Sequence, residues 1–386
     1  MPKAPMKLAI FIYSLSGGGA ERQTSYILSY CHNHNIDAHL ILMNTLIKYE
    51  IPKEIPIHFL EQSESDENGT IKALKIPYLA YKYSRLLKKL QITHSVSLLT
   101  RPNYINLIAQ KLTRHPFKVI VNELAFPSLQ YSYPGFQSKF NKTLIKNLFK
   151  NAGLIISNSE GNAKDLIDNF EVPSGIVSVV HNPIDLKKIN AIAPVSDVFD
   201  PQNFNIITLG RLDVGKNHKM LIEAIAHLNH PCVRLYIFGV GDMQEPLEDL
   251  IQELDVDQHV FLMGFDPNPY QYLKAADLFM FGSNHEGFPN VLLEAMACQL
   301  PILTTNCESG PNEIMELKTI KNDLMITDYG ILVPVKNKDL IAKGIQYFLD
   351  HKTYAESCKT HGKRRILAFE KNNILKKYLD LIIHTK

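Results

Sequence analysis

The chain has 386 residues, more than one hydrophobic core usually serves, so two domains are expected. With 45% hydrophobic and 21% charged residues, its composition is that of an ordinary soluble globular protein. No run reaches the roughly 18 consecutive apolar residues that a membrane span needs. The five cysteines are scattered without a C-x-x-C pair, which excludes a disulfide or zinc framework and fits a reducing cytoplasm.

The formal net charge of +2 conceals an uneven distribution of charge. Between Asn68 and Ser159, fourteen lysine and arginine residues accompany a single acidic residue, Glu123. A basic stretch of this length predicts an anionic partner.

Short apolar runs alternate with helical patterns along the whole chain, which predicts βαβ units and parallel sheets. The strands predicted in the first half are Lys7–Tyr13, Ala38–Met43, Ile57–Leu60, Ser95–Leu99, Lys118–Val121, Gly153–Ser157 and Val177–His181. Those predicted in the second half are Asn205–Leu209, Arg234–Phe238, Val260–Met263, Leu278–Phe281, Ile302–Thr304 and Gly330–Val333. The first apolar run is followed by glycines and not by a cleavage site, so it is interpreted as a strand and not as a signal peptide.

The best domain boundary lies at residues 182–203, which contain Pro183, Pro194 and Pro201 and little periodicity. The predicted fold is α/β, with two Rossmann-like doubly wound domains at residues 1–190 and 200–365. Residues 366–386 are expected to form a helix that packs back on the first domain. Ligands of such sheets bind beyond the carboxyl ends of the strands. Three loops are predicted at the carboxyl ends of strands, at residues 16–22, 210–217 and 286–290. All three are expected to face one cleft between the domains.

The first of these loops contains Gly17, Gly18 and Gly19 at the start of a predicted helix. Glycines allow the backbone to approach a ligand closely, and a helix N-terminus favours an anion such as a diphosphate. No Gly-Lys-Ser/Thr follows, so the loop is not a P-loop, and it does not fit G-x-G-x-x-G. A simple tight turn is the alternative.

The second loop, GRLDVGKNH, carries Arg211 and Lys216 just beyond a strand. Two cations on a glycine-containing loop can bind a diphosphate, the arginine through its planar fork and the lysine as a point charge. The alternative is a surface loop with solvated charges.

The third loop opens EGFPNVLLE, in which Glu286 and Glu294 flank a turn with Asn290 as the predicted N-cap. Eight residues of helix span about 12 Å, which exceeds the roughly 5 to 9.5 Å between the carboxyl groups of a glycosidase. The spacing therefore favours two carboxylates that bind different hydroxyl groups of one long ligand. A capped helix with two solvated glutamates is the alternative.

Asp255-Val256-Asp257 has the D-x-D spelling with which some sugar-nucleotide enzymes hold a metal. It precedes a predicted strand, on the amino-terminal side of the sheet, so a solvated turn is the preferred interpretation and no metal is predicted.

Two basic segments follow helical spacing. Their cations are Lys82, Arg85 and Lys89 in the first segment and Lys139, Lys142 and Lys146 in the second. Basic amphipathic helices suit an anionic membrane surface. The alternative is two surface helices whose apolar stripe packs on the first sheet. Nucleic acid is disfavoured because no binding module is recognisable.

Together, Gly17–Gly19, GRLDVGK and E-x7-E resemble the retaining glycosyltransferases of family 4, which have the GT-B fold. Longer segments, including KLAIFIYSLSGGGAER and EGFPNVLLEAMAC, resemble members that act in bacterial N-linked protein glycosylation. The resemblance implies α-1,4 transfer of N-acetylgalactosamine from UDP to an undecaprenyl-diphosphate-linked oligosaccharide. It also implies no cofactor or metal, and a cytoplasmic enzyme peripherally bound to the inner membrane.

By position, the resemblance assigns catalytic roles to Arg211 and Lys216 at the diphosphate and to Glu286 at the sugar hydroxyls. Glu294 would bind the ribose. The remaining residues implied for the donor are Gly17, Gly18, Gly19, Gly239, Gly241, Met263, Gly264, Gly287, Phe288, Pro289 and Asn290.

One departure concerns a histidine that many relatives carry near the donor sugar. The corresponding region reads Val121-Asn122-Glu123-Leu124-Ala125, with no histidine. Glu123 is expected to orient the acceptor or the donor sugar. The alternative is a carboxylate that is neutralised by a neighbouring lysine or arginine. The functional alternatives are a sibling transferase with another acceptor or several additions, a UDP-sugar epimerase of the same fold, and a noncatalytic binding protein.

Overall fold

The computed structural model describes residues 6–62, 69–195 and 197–385. The chain divides into two compact units, of which the first comprises Met1–Pro183 with Lys371–Lys386 and the second Ile184–Glu370. The division falls within the predicted boundary region at residues 182–203, and the short helix at Leu186–Asn190 belongs to the second unit, where it buries Ile189 in the core.

The first unit contains one seven-stranded parallel sheet. Its strands are β1 (Lys7–Ile12), β2 (Asp37–Leu42), β3 (Ile57–Phe59), β4 (His94–Leu98), β5 (Lys118–Glu123), β6 (Leu154–Ser157) and β7 (Val177–Val179). The strand order is β3-β2-β1-β4-β5-β6-β7. The order reverses between β1 and β4, which is the topological switch point of a doubly wound fold.

Helices cover both faces of this sheet. They are α1 (Gly19–Asn33), α2 (Gly69–Leu74), α3 (Ile76–Leu90), α4 (Thr100–Lys111), α5 (Pro127–Gln130), α6 (Phe136–Leu148) and α7 (Glu160–Phe170), with short 3-10 turns at Phe149–Asn151 and Ser174–Ile176. Because both faces are covered, the central strands are buried on both sides, and Leu8–Ile12 of β1 are fully buried.

The second unit also contains seven strands. They are β8 (Phe204–Leu209), β9 (Val233–Phe238), β10 (Val260–Gly264), β11 (Leu278–Phe281), β12 (Ile302–Thr305), β13 (Met325–Ile326) and β14 (Gly330–Val333). The order is β10-β9-β8-β11-β12-β14-β13. The described strands pair in parallel except at one edge, where the two-residue β13 pairs antiparallel with β14.

The helices of the second unit are α8 (Leu186–Asn190), α9 (His218–Leu228), α10 (Gln244–Glu253), α11 (Tyr270–Leu273), α12 (Asn290–Ala297), α13 (Pro311–Ile314), α14 (Lys338–Asp350) and α15 (Lys352–Arg365), with a 3-10 turn at Ile366–Phe369. Leu221 of α9 and Ile341 of α14 pack on one face of the sheet, and Leu292 and Met296 of α12 pack on the other.

The last helix, α16 (Lys371–His384), belongs to the first unit. Leu375, Leu379 and Ile382 are buried in the same cluster as β1 and α1. The Tyr378 hydroxyl donates a hydrogen bond of 2.9 Å to Asn122 Oδ1 beneath the sheet surface. No helix among the described residues is long and apolar enough to cross a membrane.

Candidate active site

Two loops of the second unit interlock at the carboxyl ends of β8 and β9. Leu212 N–H donates to Val240 O at 3.1 Å, and Met243 N–H donates to Leu212 O at 3.0 Å. A Cβ at Gly239 would lie 1.8 Å from Gly210 O, and one at Gly241 would lie 2.3 Å from Leu212 O. Both positions therefore require glycine, because a side chain would separate the two loops.

Lys216 and Glu286 form an ion pair across the ends of the neighbouring strands β8 and β11. Lys216 Nζ lies 2.5 Å from Glu286 Oε1, and the two side chains are 25% and 13% exposed. Ser283 Oγ donates to the same carboxylate oxygen at 2.7 Å. The site thus holds a partly buried cation and carboxylate at one point, where water screens them weakly.

Asp213 fixes the loop that carries both predicted cations. Its carboxylate accepts the Lys216 backbone N–H at 2.9 Å and Arg211 Nε at 2.7 Å. Burial raises the pKa of Asp213, but the hydrogen bonds from Arg211 and Lys216 outweigh burial and leave the pKa below its ordinary value. The Arg211 side chain is 77% exposed, so its outer guanidinium nitrogens face solvent.

His218 lies buried under this loop as the first residue of α9. Burial, and then the nearby charge of Lys216, lower the pKa of His218 to about 4. Among the described residues, its Nδ1 has no hydrogen-bond partner. The imidazole is consequently neutral at physiological pH and adds no charge beside Lys216.

The turn after Glu286 is held by buried groups. The Phe288 ring packs on Phe369 at 5.8 Å, and Ser309 Oγ donates to Gly287 O at 2.8 Å. The predicted N-cap at Asn290 is wrong. Pro289 occupies the N-cap with extended backbone angles, and Asn290 is already the first helical residue of α12.

Glu294 lies on the buried side of α12 and is 5% exposed. At the far side of the sheet, β10 ends with Met263, partly exposed, and with Gly264, whose φ of 71° suits glycine. Gly239 N–H donates to Gly264 O at 2.8 Å, which ties this end of β10 to the glycine loop of β9.

In the first unit, α1 begins at Gly19, and Gly17 and Gly18 adopt positive φ angles. A Cβ at Gly18 would lie 2.5 Å from Glu21 Oε2, so the Glu21 carboxylate folds over this turn. Burial raises the pKa of Glu21 despite an opposing backbone hydrogen bond. The glycine turn therefore already has an acidic side chain at the helix N-terminus.

Glu123 ends β5 and is 6% exposed. Its Oε1 accepts the backbone N–H groups of Leu124 at 3.1 Å and Ala125 at 3.3 Å. Burial raises the pKa of Glu123 to about 7. Within residues 6–62, 69–195 and 197–385, no lysine or arginine pairs with it, so the predicted neutralisation by a basic neighbour is not observed.

The basic segments correspond to α3 and α6. The apolar stripe of α3 is buried, with Leu79, Tyr83 and Leu87 in the core of the first unit. The polar stripe is exposed and contains Lys82, Arg85 and Lys89. Lys82 Nζ donates to Leu60 O at 2.6 Å. The apolar stripe therefore packs on the sheet, as one alternative predicted, while the cations remain at the surface.

On α6, Lys139 is exposed and Lys142 is half-buried. Lys146 pairs with Glu171 at 2.5 Å on the surface. Asp255 and Asp257 are exposed in the turn before β10, at the opposite edge of the sheet from Lys216. In the described part of the chain, no cluster of three or more histidine, cysteine or acidic side chains could hold a metal ion.

The supporting residues Ser283, Asp213 and His218 were not singled out from the sequence. Asp213 and His218 lie within the GRLDVGKNH motif, so their proximity to two cations was an available signal. For Ser283 the sequence offered no such signal, because its contact with Glu286 depends on how the chain turns after β11.

Two family models match the chain. Residues 17–188 match the model described as Glycosyltransferase Family 4, and residues 193–365 match Glycosyl transferases group 1. A relative from Campylobacter jejuni is 39% identical over 98% of this chain and 99% of its own length. That relative is named N-acetylgalactosamine-N,N'-diacetylbacillosaminyl-diphospho-undecaprenol 4-alpha-N-acetylgalactosaminyltransferase. An uncharacterised glycosyltransferase from Methanocaldococcus jannaschii is 28% identical over 86% of this chain and 84% of its own.

Among solved structures, Anabaena HepE in complex with UDP has a TM-score of 0.77 at 18% identity, and the match covers 98% of this chain and 99% of that one. At this identity the likeness shows the fold, and the prediction of Rossmann-like domains of the GT-B class is confirmed. The sequence resemblance is confirmed as well. The chain therefore belongs to the glycosyltransferases, with a family 4 domain in its first half and a group 1 domain in its second.

Proposed function

We propose that this glycosyltransferase transfers N-acetylgalactosamine from UDP-N-acetylgalactosamine, with retention and in α-1,4 linkage, to an undecaprenyl-diphosphate-linked oligosaccharide for protein N-glycosylation. The observation that carries the proposal is the Lys216–Glu286 pair at adjacent strand ends. Its sequence support is the 39% identity to the Campylobacter jejuni enzyme over nearly the whole chain.

In this proposal Lys216 and Arg211 bind the donor diphosphate. As the bond between the sugar and UDP breaks, negative charge accumulates on the departing phosphate, and fixed cations stabilise that charge. Lys216 is well placed because Asp213 holds its backbone and Glu286 holds its ammonium group. Arg211 Nε donates to Asp213, and the exposed outer nitrogens can form a fork on phosphate.

Glu286 binds hydroxyl groups of the donor sugar. A donor phosphate that draws Lys216 away leaves a carboxylate oxygen held by Ser283, which can accept a hydrogen bond from a sugar hydroxyl. The backbone of Gly287, Phe288, Pro289 and Asn290 leads into α12, whose N-terminus favours negative charge.

The nucleotide is assigned to the loop after β9, to the end of β10 and to α12. Gly239, Gly241, Met263 and Gly264 would lie against the uridine, and Glu294 would bind the ribose hydroxyls. The interlocked backbones of these glycine loops leave little side-chain bulk, which supports close approach of a planar base. In the first unit, Gly17, Gly18 and Gly19 would contact the donor, and Glu123 would orient a sugar.

We further propose that the enzyme needs no divalent metal and acts at the cytoplasmic face of an anionic inner membrane. Support for membrane contact comes from the exposed cations of α3 and from the near absence of acidic residues between Asn68 and Ser159.

The decisive assay combines the enzyme, UDP-N-acetylgalactosamine and the undecaprenyl-diphosphate-linked disaccharide in the presence of a chelator. We expect a lipid-linked trisaccharide, identified by mass spectrometry. The absence of any lipid-linked product would refute the specific function. Products longer by several sugars would indicate successive addition, and a converted sugar nucleotide without acceptor would indicate an epimerase.

A further inference from the structure

The ammonium group of Lys216 stands over the aromatic ring of Phe281. The distance from Lys216 Nζ to the ring centroid is 5.2 Å. Phe281 is the last residue of β11 and is 2% exposed, whereas the Lys216 side chain is 25% exposed. A cation at this distance from an aromatic face is attracted by the negative charge density of the ring, and more strongly where water is excluded.

The position of the Lys216 ammonium group is determined by contacts of two electrostatic kinds. The stem of the side chain crosses Gly210, since a Cβ there would lie 3.6 Å from Lys216 Cγ and Cδ. At its end, the ammonium group meets Glu286 Oε1 at 2.5 Å and the ring of Phe281. The carboxylate neutralises the charge of the ammonium group. The ring has no net charge and therefore attracts the ammonium group without neutralising it.

The proposed function makes this difference important. When the donor phosphate draws Lys216 away from Glu286, the carboxylate becomes available to a sugar hydroxyl, and Lys216 loses its charged partner. A lysine side chain is a point charge on a flexible four-carbon stem, so it needs another contact to stay in position. Phe281 is uncharged and buried at the end of a strand, so it can keep this contact while the donor is bound.

We propose that Phe281 is a positioning residue, which holds the Lys216 ammonium group at the donor diphosphate through a cation–π contact. This inference deepens the proposed function and rests on it for the role of Lys216 at the diphosphate. The contact matters most as the leaving phosphate becomes charged, because a fixed cation then stabilises it without reorganisation.

Fluorinated phenylalanines separate this attraction from the packing of Phe281 in the core of the second unit. Fluorine withdraws negative charge from the face of the ring and changes its shape little. Mono-, di- and trifluorophenylalanine would be introduced at position 281 by codon suppression. We expect the affinity for UDP and kcat/KM to fall stepwise along the series, by about threefold to thirtyfold in total. UDP is the probe because it is the group that leaves, with the charge that Lys216 stabilises.

Phe279 is the matched control for the fluorinated series. It lies on the same strand and is fully buried, and its ring centroid is 6.3 Å from that of Phe281. Among the described residues, no cation lies over the Phe279 ring. Fluorination there should leave the UDP affinity and kcat/KM nearly unchanged. A response at Phe281 as flat as that at Phe279 would overturn the proposal.

A double-mutant cycle with Lys216 tests whether Phe281 acts through the lysine. Phe281→Leu should lower kcat/KM in the wild-type background. It should have little further effect in Lys216→Ala, because the ring then has no cation to hold. Thermal unfolding confirms that the variants fold. An equal loss from Phe281→Leu in both backgrounds would contradict the proposal and assign Phe281 to packing alone.

UDP affinity also separates this inference from the proposed function. Suppose that the wild type makes no lipid-linked product, but that its UDP affinity falls along the fluorinated series. That result would refute the specific function and support the cation–π contact. Product formation together with a flat series would do the reverse. A wild-type protein without affinity for UDP would refute both.

Discussion

Lys216 and Glu286 neutralise one another where the two predicted catalytic loops meet. Their contact joins residues 70 positions apart and follows from the adjacency of β8 and β11 in the sheet. The motifs alone located each residue at a strand end, but they did not predict the ion pair, because strand order is a property of the whole sheet.

Replacing Lys216 with alanine should lower kcat/KM by about a hundredfold or more, because a fixed cation is lost at the leaving diphosphate. Glu286→Gln should lower it to a similar extent through weaker binding of the sugar hydroxyls. The measurement is initial rate at varied donor concentration, with thermal unfolding to confirm folding. Lys219→Ala is the matched control, since this lysine pairs with Glu223 on the exposed side of α9. Near-normal rates in the Lys216 or Glu286 variant would remove that residue from the catalytic site.

The charge of Glu123 affects the stability of the folded protein. Burial raises its pKa from 4.5 to about 7. The folded protein therefore binds this proton more tightly than the unfolded chain does. The stabilisation is complete below about pH 4.5 and is lost as the pH rises through 7.

Glu123→Gln should therefore raise the free energy of unfolding at pH 8 by up to about 3 kcal/mol, because glutamine keeps the two backbone hydrogen bonds without a buried charge. The difference from the wild type should shrink toward pH 5. Urea unfolding at both pH values tests this, with the exposed Glu50→Gln as control. An equal difference at both pH values would show that Glu123 does not titrate in this range.

At the scale of single elements, the alternation of apolar runs predicted thirteen of the strands to within a few residues, because strands buried on both faces are mostly near-continuous apolar runs. The strand that was missed, β13, is two residues long and forms an edge, so its apolar run is too short to be recognised as a strand. The capping prediction at Asn290 failed because Pro289 takes the extended conformation one residue earlier.

The exposed stripe of α3 supplies a prediction about membrane contact. Replacing Lys82, Arg85 and Lys89 together with glutamine should weaken binding to anionic vesicles at low salt, by about 1 kcal/mol for each cation near the surface. Lys187 and Lys188 of α8 are exposed lysines in the other unit, and their glutamine variants serve as the control. Unchanged binding of the triple variant would make α3 an ordinary surface helix.

At the scale of the whole molecule, each unit has its own sheet, but the first unit depends on α16. Deleting residues 371–386 should destabilise the first unit while the second remains folded, because an apolar face of the first sheet loses its cover. Limited proteolysis followed by mass spectrometry measures this, and equal protection of the first unit with and without α16 would contradict it.

A milder variant tests the same contact. Tyr378→Phe removes the hydroxyl that donates to Asn122 Oδ1 and leaves a buried acceptor unpaired. The free energy of unfolding of the first unit should fall by about 1 to 3 kcal/mol. The exposed Tyr81→Phe is the control, and a loss no larger than in that control would show that the hydrogen bond contributes little to stability.

Because α16 follows the second unit in the chain but belongs to the first, it also determines the order in which the two units can fold during synthesis on the ribosome. All residues of the second unit are translated before α16, so this unit can complete its fold while the first still lacks one of its helices. Until residue 384 leaves the exit tunnel, the apolar side of β1 and α1 is incompletely covered, and nascent chains stalled before α16 are expected to recruit chaperones.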